Sequence, residues 1–101
     1  MGCVEKHGLH LPLGQDIIQV SHLAYMASQL ETACVFPDFT FGDVPENSPN
    51  MPAGSITLHM DMEMALLETL CEQISRNGFK KIIIYNGHGG NGSILTAFLR
   101  K

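Results

Sequence analysis

Residues 80–93 read KKIIIYNGHGGNGS, and this stretch decides the fold that the rest of the chain is expected to adopt. A β-branched apolar run ends abruptly in a glycine-rich turn, and the helix-like segment ILTAFL follows at residues 94–99. Residues 81–85 are typical of a strand buried on both faces, as in a parallel sheet. Loops at the carboxyl ends of such strands bind ligands in open α/β sheets, and His88 lies in the middle of this loop. The stretch therefore predicts a strand–loop–helix unit that carries a binding site.

The preceding residues alternate in the same way between strand-like and helix-like patterns. Residues 1–4 and 33–36 are short apolar runs that favour strands. Residues 16–31 predict a helix, and a second is predicted from Thr57, as a candidate N-cap, to about Asn77, with Gly78 as its stop signal. The apolar stripe of the first helix comprises Ile17, Val20, Leu23 or Ala24, Ala27 and Leu30, and that of the second Met60, Met64, Leu67, Leu70 or Cys71, and Ile74. This order predicts an α/β fold with a parallel sheet and crossover helices, and residues 38–55 as a mainly surface excursion.

The composition indicates one small domain and excludes several classes of function. The chain has 101 residues, 45% hydrophobic and 16% charged, with a net charge of −4. The few scattered basic residues argue against a nucleic-acid partner, and no run is long enough to span a membrane. Three widely spaced cysteines favour buried thiols and a cytoplasmic location over a disulfide framework. The chain opens almost directly on its first motif and stops about two turns into a predicted helix, so residues 1–101 are expected to be a single, incomplete domain.

The first motif, GCVEKHGLHLPLGQD at residues 2–16, supplies candidate metal ligands. If the backbone is extended at residues 5–7, the side chains of Glu5 and His7 point to the same side, and Asp16 lies beside a helix start. With His88, these are ligand types that hold Zn, Mn or Fe. A carboxylate can bridge two cations, and a bridged pair lowers the pKa of a shared water and polarises a carbonyl. The predicted chemistry is hydrolysis of an amide or a related bond.

Each of these residues also has a structural explanation. Glu-x-His alone is more often a solvated turn than a ligand pair, and His10 is better explained by loop packing or a second-shell position. His22 and His59 are expected to be structural or exposed. Asp61 and Glu63 are expected on a solvated helix face. The metal hypothesis gains weight because both motifs follow predicted strands, which should place them at the same edge of the sheet.

Two further classes of function remain open. The glycines Gly87, Gly89 and Gly92 match the G-x-G-x-x-G pattern between a strand and a helix, which is the fingerprint of dinucleotide or phosphate binding. That hypothesis leaves Glu5, His7 and Asp16 unexplained. The third class is a non-catalytic remnant that kept the fold of a hydrolase and lost its activity.

Both motifs resemble those of the creatininase (creatinine amidohydrolase) family. Residues 2–16 are similar to its opening motif, NGHGGN at residues 86–91 matches its second motif, and MPAGSI at residues 51–56 looks like its Pro-Gly-Thr-Ile-like segment with Ala53 inserted. The resemblance covers essentially the whole chain. It implies a three-layer α/β/α fold with a mainly parallel sheet and a hydrolase site with two divalent metals. It also implies a small-molecule substrate with a non-peptide C–N bond, a cyclic amide or a formamide, and assembly as a homo-oligomer, commonly a hexamer.

The resemblance also assigns roles to residues. Glu5 and His88 would hold one metal, His7 the other, and Asp16 would bridge the two. Creatininases proper have a glutamate ligand at the position of Gly90, so the chain is more similar to the Asn-Gly-His-Gly-Gly-Asn subgroup. Members of that subgroup take a glutamate from the later half of the domain. The remaining ligand and the acid/base residue are therefore expected beyond residue 101, and the short chain is expected to show weak or no turnover.

Overall fold

Three α-helices form most of the regular structure in the described part of the protein. A computed structural model describes residues 1–45, residue 48 and residues 53–101. The helices are α1 (Gln15–Leu30), α2 (Met60–Arg76) and α3 (Gly92–Leu99), and a 3-10 turn at Gly89–Asn91 leads directly into α3. All three helices are where the sequence predicts them. No helix in the described part of the chain is both long enough and apolar enough to cross a membrane.

Helix α1 begins at a glycine and buries only the first part of its apolar stripe. Gly14 has a left-handed backbone (φ 75°), which glycine adopts without steric cost, and the helix starts at the next residue. Asp16 lies in the first turn, where a carboxylate interacts favourably with the helix dipole. Asp16, Ile17 and Val20 are buried, whereas Leu30 at the far end is 87% exposed. The first turn of α1 is therefore the part that is fixed against the rest of the molecule.

Helix α2 starts later than its predicted cap. His59 occupies the N-cap position, so the prediction that Thr57 caps this helix is wrong. The Thr57 hydroxyl instead accepts a hydrogen bond from the Val44 amide (3.0 Å) and donates one to Asp43 Oδ1 (3.3 Å). The Thr57 hydroxyl is thus occupied by two tertiary hydrogen bonds and does not cap the helix. Gly78, with φ 96°, ends the helix region as predicted.

The stretches predicted as strands are not assembled into a sheet. Within the described residues, strand-type pairing is confined to one antiparallel bridge between Val4 and Ile56. Residues 33–36 and 81–85 belong to no strand. Ile83 is 90% exposed, so the prediction that residues 81–85 are buried on both faces is wrong for this chain. An apolar run is buried only where neighbouring strands and helices cover it, and the described residues do not cover this one.

Backbone hydrogen bonds nevertheless place the two motifs side by side. The Met1 amino group donates to the Tyr85 carbonyl (2.7 Å), and the Gly87 amide donates to the Met1 carbonyl (2.9 Å). One residue bonded to both neighbours of its opposite residue is the pattern of a parallel strand pair. On the other side, the Gly2 amide donates to the Phe39 carbonyl (3.0 Å). The three-layer α/β/α architecture stays a prediction, but residues 1–4 already lie between the segments that contain residues 39 and 85–87.

The core is small and is built from side chains of several segments. Its buried hydrophobic side chains are Cys3, Ile17, Val20, Val44, Leu67 and Ile94. Val44 belongs to the stretch 38–55 that is predicted as mainly a surface excursion, and the burial of Val44 and Gly42 shows that this part of it packs inward. Pro49 and Pro52 of that stretch, and Met51 of the 51–56 segment, lie outside the described residues. The core therefore joins the first motif to all three helices and to the chain around residue 44.

Candidate metal centre

Four side chains from three parts of the chain converge next to this core. Glu5 and His7 follow the paired segment 1–4, Asp16 is in the first turn of α1, and His88 follows residues 85–87. Because residues 1–4 are bonded to residues 85 and 87, the loops that leave these two segments lie beside each other. The structure thus brings together all four residues that the sequence analysis selects as metal ligands.

Glu5, His7 and Asp16 form a compact group of candidate ligands. One ligand atom from each lies within 4.8 Å of the others. His7 Nε2 is 3.3 Å from Glu5 Oε2 and 3.7 Å from Asp16 Oδ1. Both carboxylate residues are buried, while the His7 side chain is partly exposed. The group therefore has a protein-lined side and a side that a small molecule can reach.

His88 closes the group from the buried side. Its Nδ1 lies 2.8 Å from Asp16 Oδ2 and 3.2 Å from Glu5 Oε2. The two oxygens of Asp16 therefore face different histidines, Oδ1 toward His7 and Oδ2 toward His88. This is the arrangement that a carboxylate needs in order to bridge two cations, one near each histidine.

Both ring nitrogens of His88 face hydrogen-bond acceptors. Nδ1 faces the two carboxylates, and Nε2 lies 2.8 Å from the Asp43 carbonyl oxygen. A neutral imidazole has one N–H and can satisfy only one side. The site is therefore complete only with a second proton on His88 or with a cation between Nδ1 and the carboxylates.

The backbone at Gly90 leaves no room for a side chain. A Cβ atom at Gly90 would lie 2.2 Å from the Asp43 carbonyl oxygen and 2.5 Å from His88 Nε2. Both distances are well inside van der Waals contact, so no larger side chain fits this backbone. A carboxylate at this position is thus excluded by the packing of His88 against Asp43.

Glu63 is a buried carboxylate that the sequence analysis places wrongly. It is predicted on a solvated face of α2, but its side chain is fully buried. Within the described residues, neither of its carboxylate oxygens has a hydrogen-bond partner. Burial, followed by the negative charge of Asp43, raises the pKa of Glu63 to about 7, while His88 acts in the opposite direction. The prediction fails because α2 turns Glu63 and Leu67, one turn apart, toward the core, whereas Met60 stays exposed.

The cysteines stay outside the ligand set. Cys3 is buried, and burial together with the charges of Glu5, Asp16 and Glu63 raises the pKa of its thiol to about 12. The Cys3 thiol donates to the Ile56 carbonyl oxygen (3.7 Å), and no cysteine belongs to the metal-ligand group found in the described residues. All three cysteines are free, but Cys34 is exposed, so the expectation of buried thiols is wrong for that residue.

The remaining candidate histidines lie apart from the group. His22 and His59 are exposed, as expected, and His10, which is expected in loop packing or a second-shell position, is exposed as well. The His10 ring lies near Gly8, in the loop of the first motif. None of the three belongs to the metal-ligand group found in the described part of the chain.

The glycine loop uses some of its own amides internally. The Asn91 amide donates to the His88 carbonyl (3.2 Å), and the Gly92 amide donates to the Gly89 carbonyl. A phosphate cradle needs such amides free to point at the ligand. A cavity of about 580 Å³ lies beside this loop and α3, lined by Gly89, Gly92, Ser93, Thr96, Ala97 and Arg100. Because these two amides are used within the loop, and because four candidate ligands converge nearby, the geometry favours the metal hypothesis over the nucleotide hypothesis.

Two acidic and two imidazole side chains, gathered from two loops and a helix start, define a protein with a candidate metal centre. The family model described as creatininase, creatinine amidohydrolase, matches residues 1–101, and the chain belongs to this family. It is also similar to the 3-dehydro-scyllo-inosose hydrolase of Thermotoga maritima, with 29% identity over 90 residues. The match covers 88% of this chain and 28% of that protein, so the chain spans little more than a quarter of that relative's length. No solved structure matches the chain.

Proposed function

We propose that this chain carries the metal-binding part of a creatininase-family hydrolase that cleaves non-peptide C–N bonds in small molecules. The convergence of Glu5, His7, Asp16 and His88 carries this proposal. Family membership supports a hydrolytic reaction. The proposed substrate is a cyclic amide or a formamide. The name of the Thermotoga maritima relative favours a second candidate function, hydrolysis of a dehydro-inosose, which contains no C–N bond.

The donor set fits divalent metal ions. Two buried carboxylates face two imidazoles, and no cationic side chain is among the four. Glu5 and His88 would hold one ion, His7 the other, and Asp16 would contribute one oxygen to each. Zn, Mn and Fe all accept these ligands. When bound, such ions polarise a substrate carbonyl and lower the pKa of water.

The residues of this chain prepare the site in two further ways. The buried positions of Glu5, Asp16 and His88 fix three ligands before a metal arrives, since their neighbours restrict their rotamers. The partly exposed His7 marks the side from which a substrate would enter. The lack of space at Gly90 supports the Asn-Gly-His-Gly-Gly-Asn subgroup, in which the last carboxylate ligand comes from elsewhere.

The remaining features of the proposal concern architecture and assembly. A three-layer α/β/α fold would cover the exposed run at residues 81–85, and the pairing of Met1 with residues 85 and 87 supports a parallel arrangement. Exposed apolar side chains outside that run, with Leu9 and Leu30 among the most exposed, support assembly into a homo-oligomer. The proposed location is the cytoplasm, where the three free thiols would stay reduced.

Metal content of the purified chain, measured by elemental mass spectrometry, tests the proposal. The wild-type chain is expected to retain Zn, Mn or Fe. Asp16→Asn is expected to lose the metal, because a neutral amide replaces the carboxylate whose two oxygens face His7 and His88. The matched control is Asp61→Asn, which changes an exposed first-turn aspartate of α2. A folded wild-type chain that binds none of the three metals on addition would contradict the proposal. Equal metal content in the two variants would contradict the assigned site.

A further inference from the structure

We propose that Asn91 is a positioning residue that holds the main chain of Asp43 against His88 and thereby makes Nδ1 the metal-binding nitrogen. The inference rests on the proposed metal site, but it concerns the opposite side of the imidazole ring. It assigns a role to a side chain that neither motif chemistry nor ligand spacing selects.

The first observation is the contact on the far side of His88. Nε2 lies 2.8 Å from the Asp43 carbonyl oxygen, which can only accept a hydrogen bond. This bond needs a proton on His88 Nε2, and the carboxylates that face Nδ1 then need a cation or a second proton at that nitrogen. In the neutral ring, that tautomer leaves the lone pair on Nδ1, the nitrogen that faces Asp16 and Glu5. A carbonyl partner on the second nitrogen is the usual way in which proteins fix the tautomer and orientation of a metal-binding histidine.

The second observation is that Asp43 is itself held in place. Its amide donates to Asn91 Oδ1 (3.2 Å), and its carboxylate accepts from the Thr57 hydroxyl (3.3 Å). The next amide, that of Val44, donates to the same hydroxyl (3.0 Å). The Asp43 carbonyl that accepts from His88 Nε2 therefore lies between two amides, those of Asp43 and Val44, that are both hydrogen-bonded. It cannot turn away without breaking at least one of these hydrogen bonds.

The third observation is the position of Asn91 among three segments. Its side chain is fully buried. Besides accepting from Asp43, its Nδ2 is 3.1 Å from Asn86 Oδ1 and 3.4 Å from the Gly2 carbonyl oxygen. A carboxamide is required because the site needs one acceptor and one donor group on the same short side chain. Asn91 therefore ties the glycine loop to residue 43 and to the paired segment 1–4.

The backbone at Gly42 is adapted to this contact. A Cβ at Gly42 would lie 2.6 Å from Asn91 Oδ1 and 2.8 Å from the Gly2 carbonyl oxygen. Only glycine lets the 42–43 backbone approach Asn91 this closely. Asn86 completes the loop by accepting from the His88 amide (3.3 Å) and donating to the His88 carbonyl (2.8 Å). The main chain of His88 and the far side of its ring are both fixed by groups that do not touch the ligand cluster.

Long-range ¹H–¹⁵N NMR spectra of the histidine rings in the ¹⁵N-labelled chain, recorded with and without Zn²⁺, test the assignment of the nitrogens. Nε2 of His88 is expected to keep its proton in both states, and Nδ1 is expected to be the nitrogen whose resonance moves with Zn²⁺. A shift of Nε2 instead would overturn the inference and leave the metal site intact. If Zn²⁺ moves neither nitrogen, the proposed function fails, while a protected Nε2–H in the metal-free spectrum still supports the contact with Asp43 and an absent one overturns it.

Variants at position 91 test the positioning role. Asn91→Ala is expected to weaken Zn²⁺ binding about 10- to 100-fold and to speed exchange of the Nε2 proton with water, as loss of outer-shell support does. Asn91→Asp keeps the acceptor for the Asp43 amide but puts an oxygen where Nδ2 donates to Asn86 Oδ1 and the Gly2 carbonyl oxygen, so it is expected to weaken Zn²⁺ binding as well. Asn77→Ala, at an exposed asparagine that bonds the Gln73 carbonyl, is the matched control. Wild-type proton exchange and affinity in a folded Asn91→Ala protein would overturn the role, and the wild-type spectra decide the tautomer even if that variant does not fold.

Discussion

Three buried carboxylates lie in two different environments in the described part of the chain: Glu5 and Asp16 face imidazoles, and Glu63 does not. Glu5 and Asp16 each lie within 3.7 Å of both His7 Nε2 and His88 Nδ1. Glu63 is more deeply buried than either, yet neither of its oxygens has a hydrogen-bond partner among the described residues. Burying a carboxylate is costly unless it is paired, so the first two are arranged for a positive charge and the third favours its neutral form. Burial alone therefore does not mark a functional carboxylate; the partners do.

The largest expected effect is the change in protein stability when the buried carboxylate of Glu63 ionises. The pKa of Glu63 is raised from 4.5 to about 7 in the folded protein, so the native state binds the proton more tightly than the unfolded chain. Its contribution to stability is therefore highest below about pH 4.5 and is lost as the pH rises through 7. Between these limits the loss amounts to about 3 kcal/mol of the free energy of unfolding.

Denaturant unfolding of Glu63→Gln and wild type at several pH values would measure this loss. The variant should gain stability relative to wild type as the pH rises from 5 to 8, because it removes the group that must ionise. Glu72→Gln, at an exposed position of the same helix, is the control and should show no such trend. A stability difference that does not change with pH would mean that Glu63 finds a partner when it ionises, and the contrast with Asp16 would disappear.

A smaller effect is expected when the packing of His88 against the Asp43 carbonyl is disturbed. Gly90→Ala places a Cβ 2.2 Å from the Asp43 carbonyl oxygen and 2.5 Å from His88 Nε2. Relief of this overlap should cost about 2 kcal/mol of the free energy of unfolding and move His88 away from Asp16. Gly89→Ala is the matched control, since a Cβ there meets nothing within 4 Å.

Thermal or denaturant unfolding of the two glycine variants separates the possibilities. If Gly90→Ala is as stable as Gly89→Ala and binds metal equally well, the packing between Asp43 and His88 is looser than its distances indicate. In that case the pairing of Asp16 would not depend on the position of the 42–43 backbone.

The smallest effect is expected at Thr57. Thr57→Val removes the hydroxyl that bonds the Val44 amide and the Asp43 carboxylate, with little change in side-chain volume. The loss should be about 1 kcal/mol, the usual net value of a hydrogen bond. Thr69→Val, which removes an exposed hydroxyl bonded to the Ala65 carbonyl within α2, is the control. Equal unfolding midpoints for the two variants would show that the Thr57 contact does not stabilise Asp43.

Local sequence patterns predicted those elements whose conformation depends on residues close by in the chain. The helix at residues 15–30 follows from its apolar spacing, the end of α2 follows from Gly78, and α3 follows the glycine loop as predicted. The identities of Glu5, His7, Asp16 and His88 as ligand types are likewise written in the side chains themselves. Their proximity follows once residues 1–4 pair beside residues 85–87.

Only the tertiary structure decided which groups face one another. Helical periodicity fixes that residues 63 and 67 share a face, but the packing of α2 decides that this face is buried. No sequence pattern announces that the Asp43 carbonyl receives His88 Nε2, because a main-chain carbonyl is present at every residue. The amide of Asn91 and the space kept free at Gly90 acquire their meaning from that contact. The sequence by itself determined the chemical groups and the local elements, whereas the distances and burial that distinguish Asp16 from Glu63 arise from contacts between residues far apart in the chain.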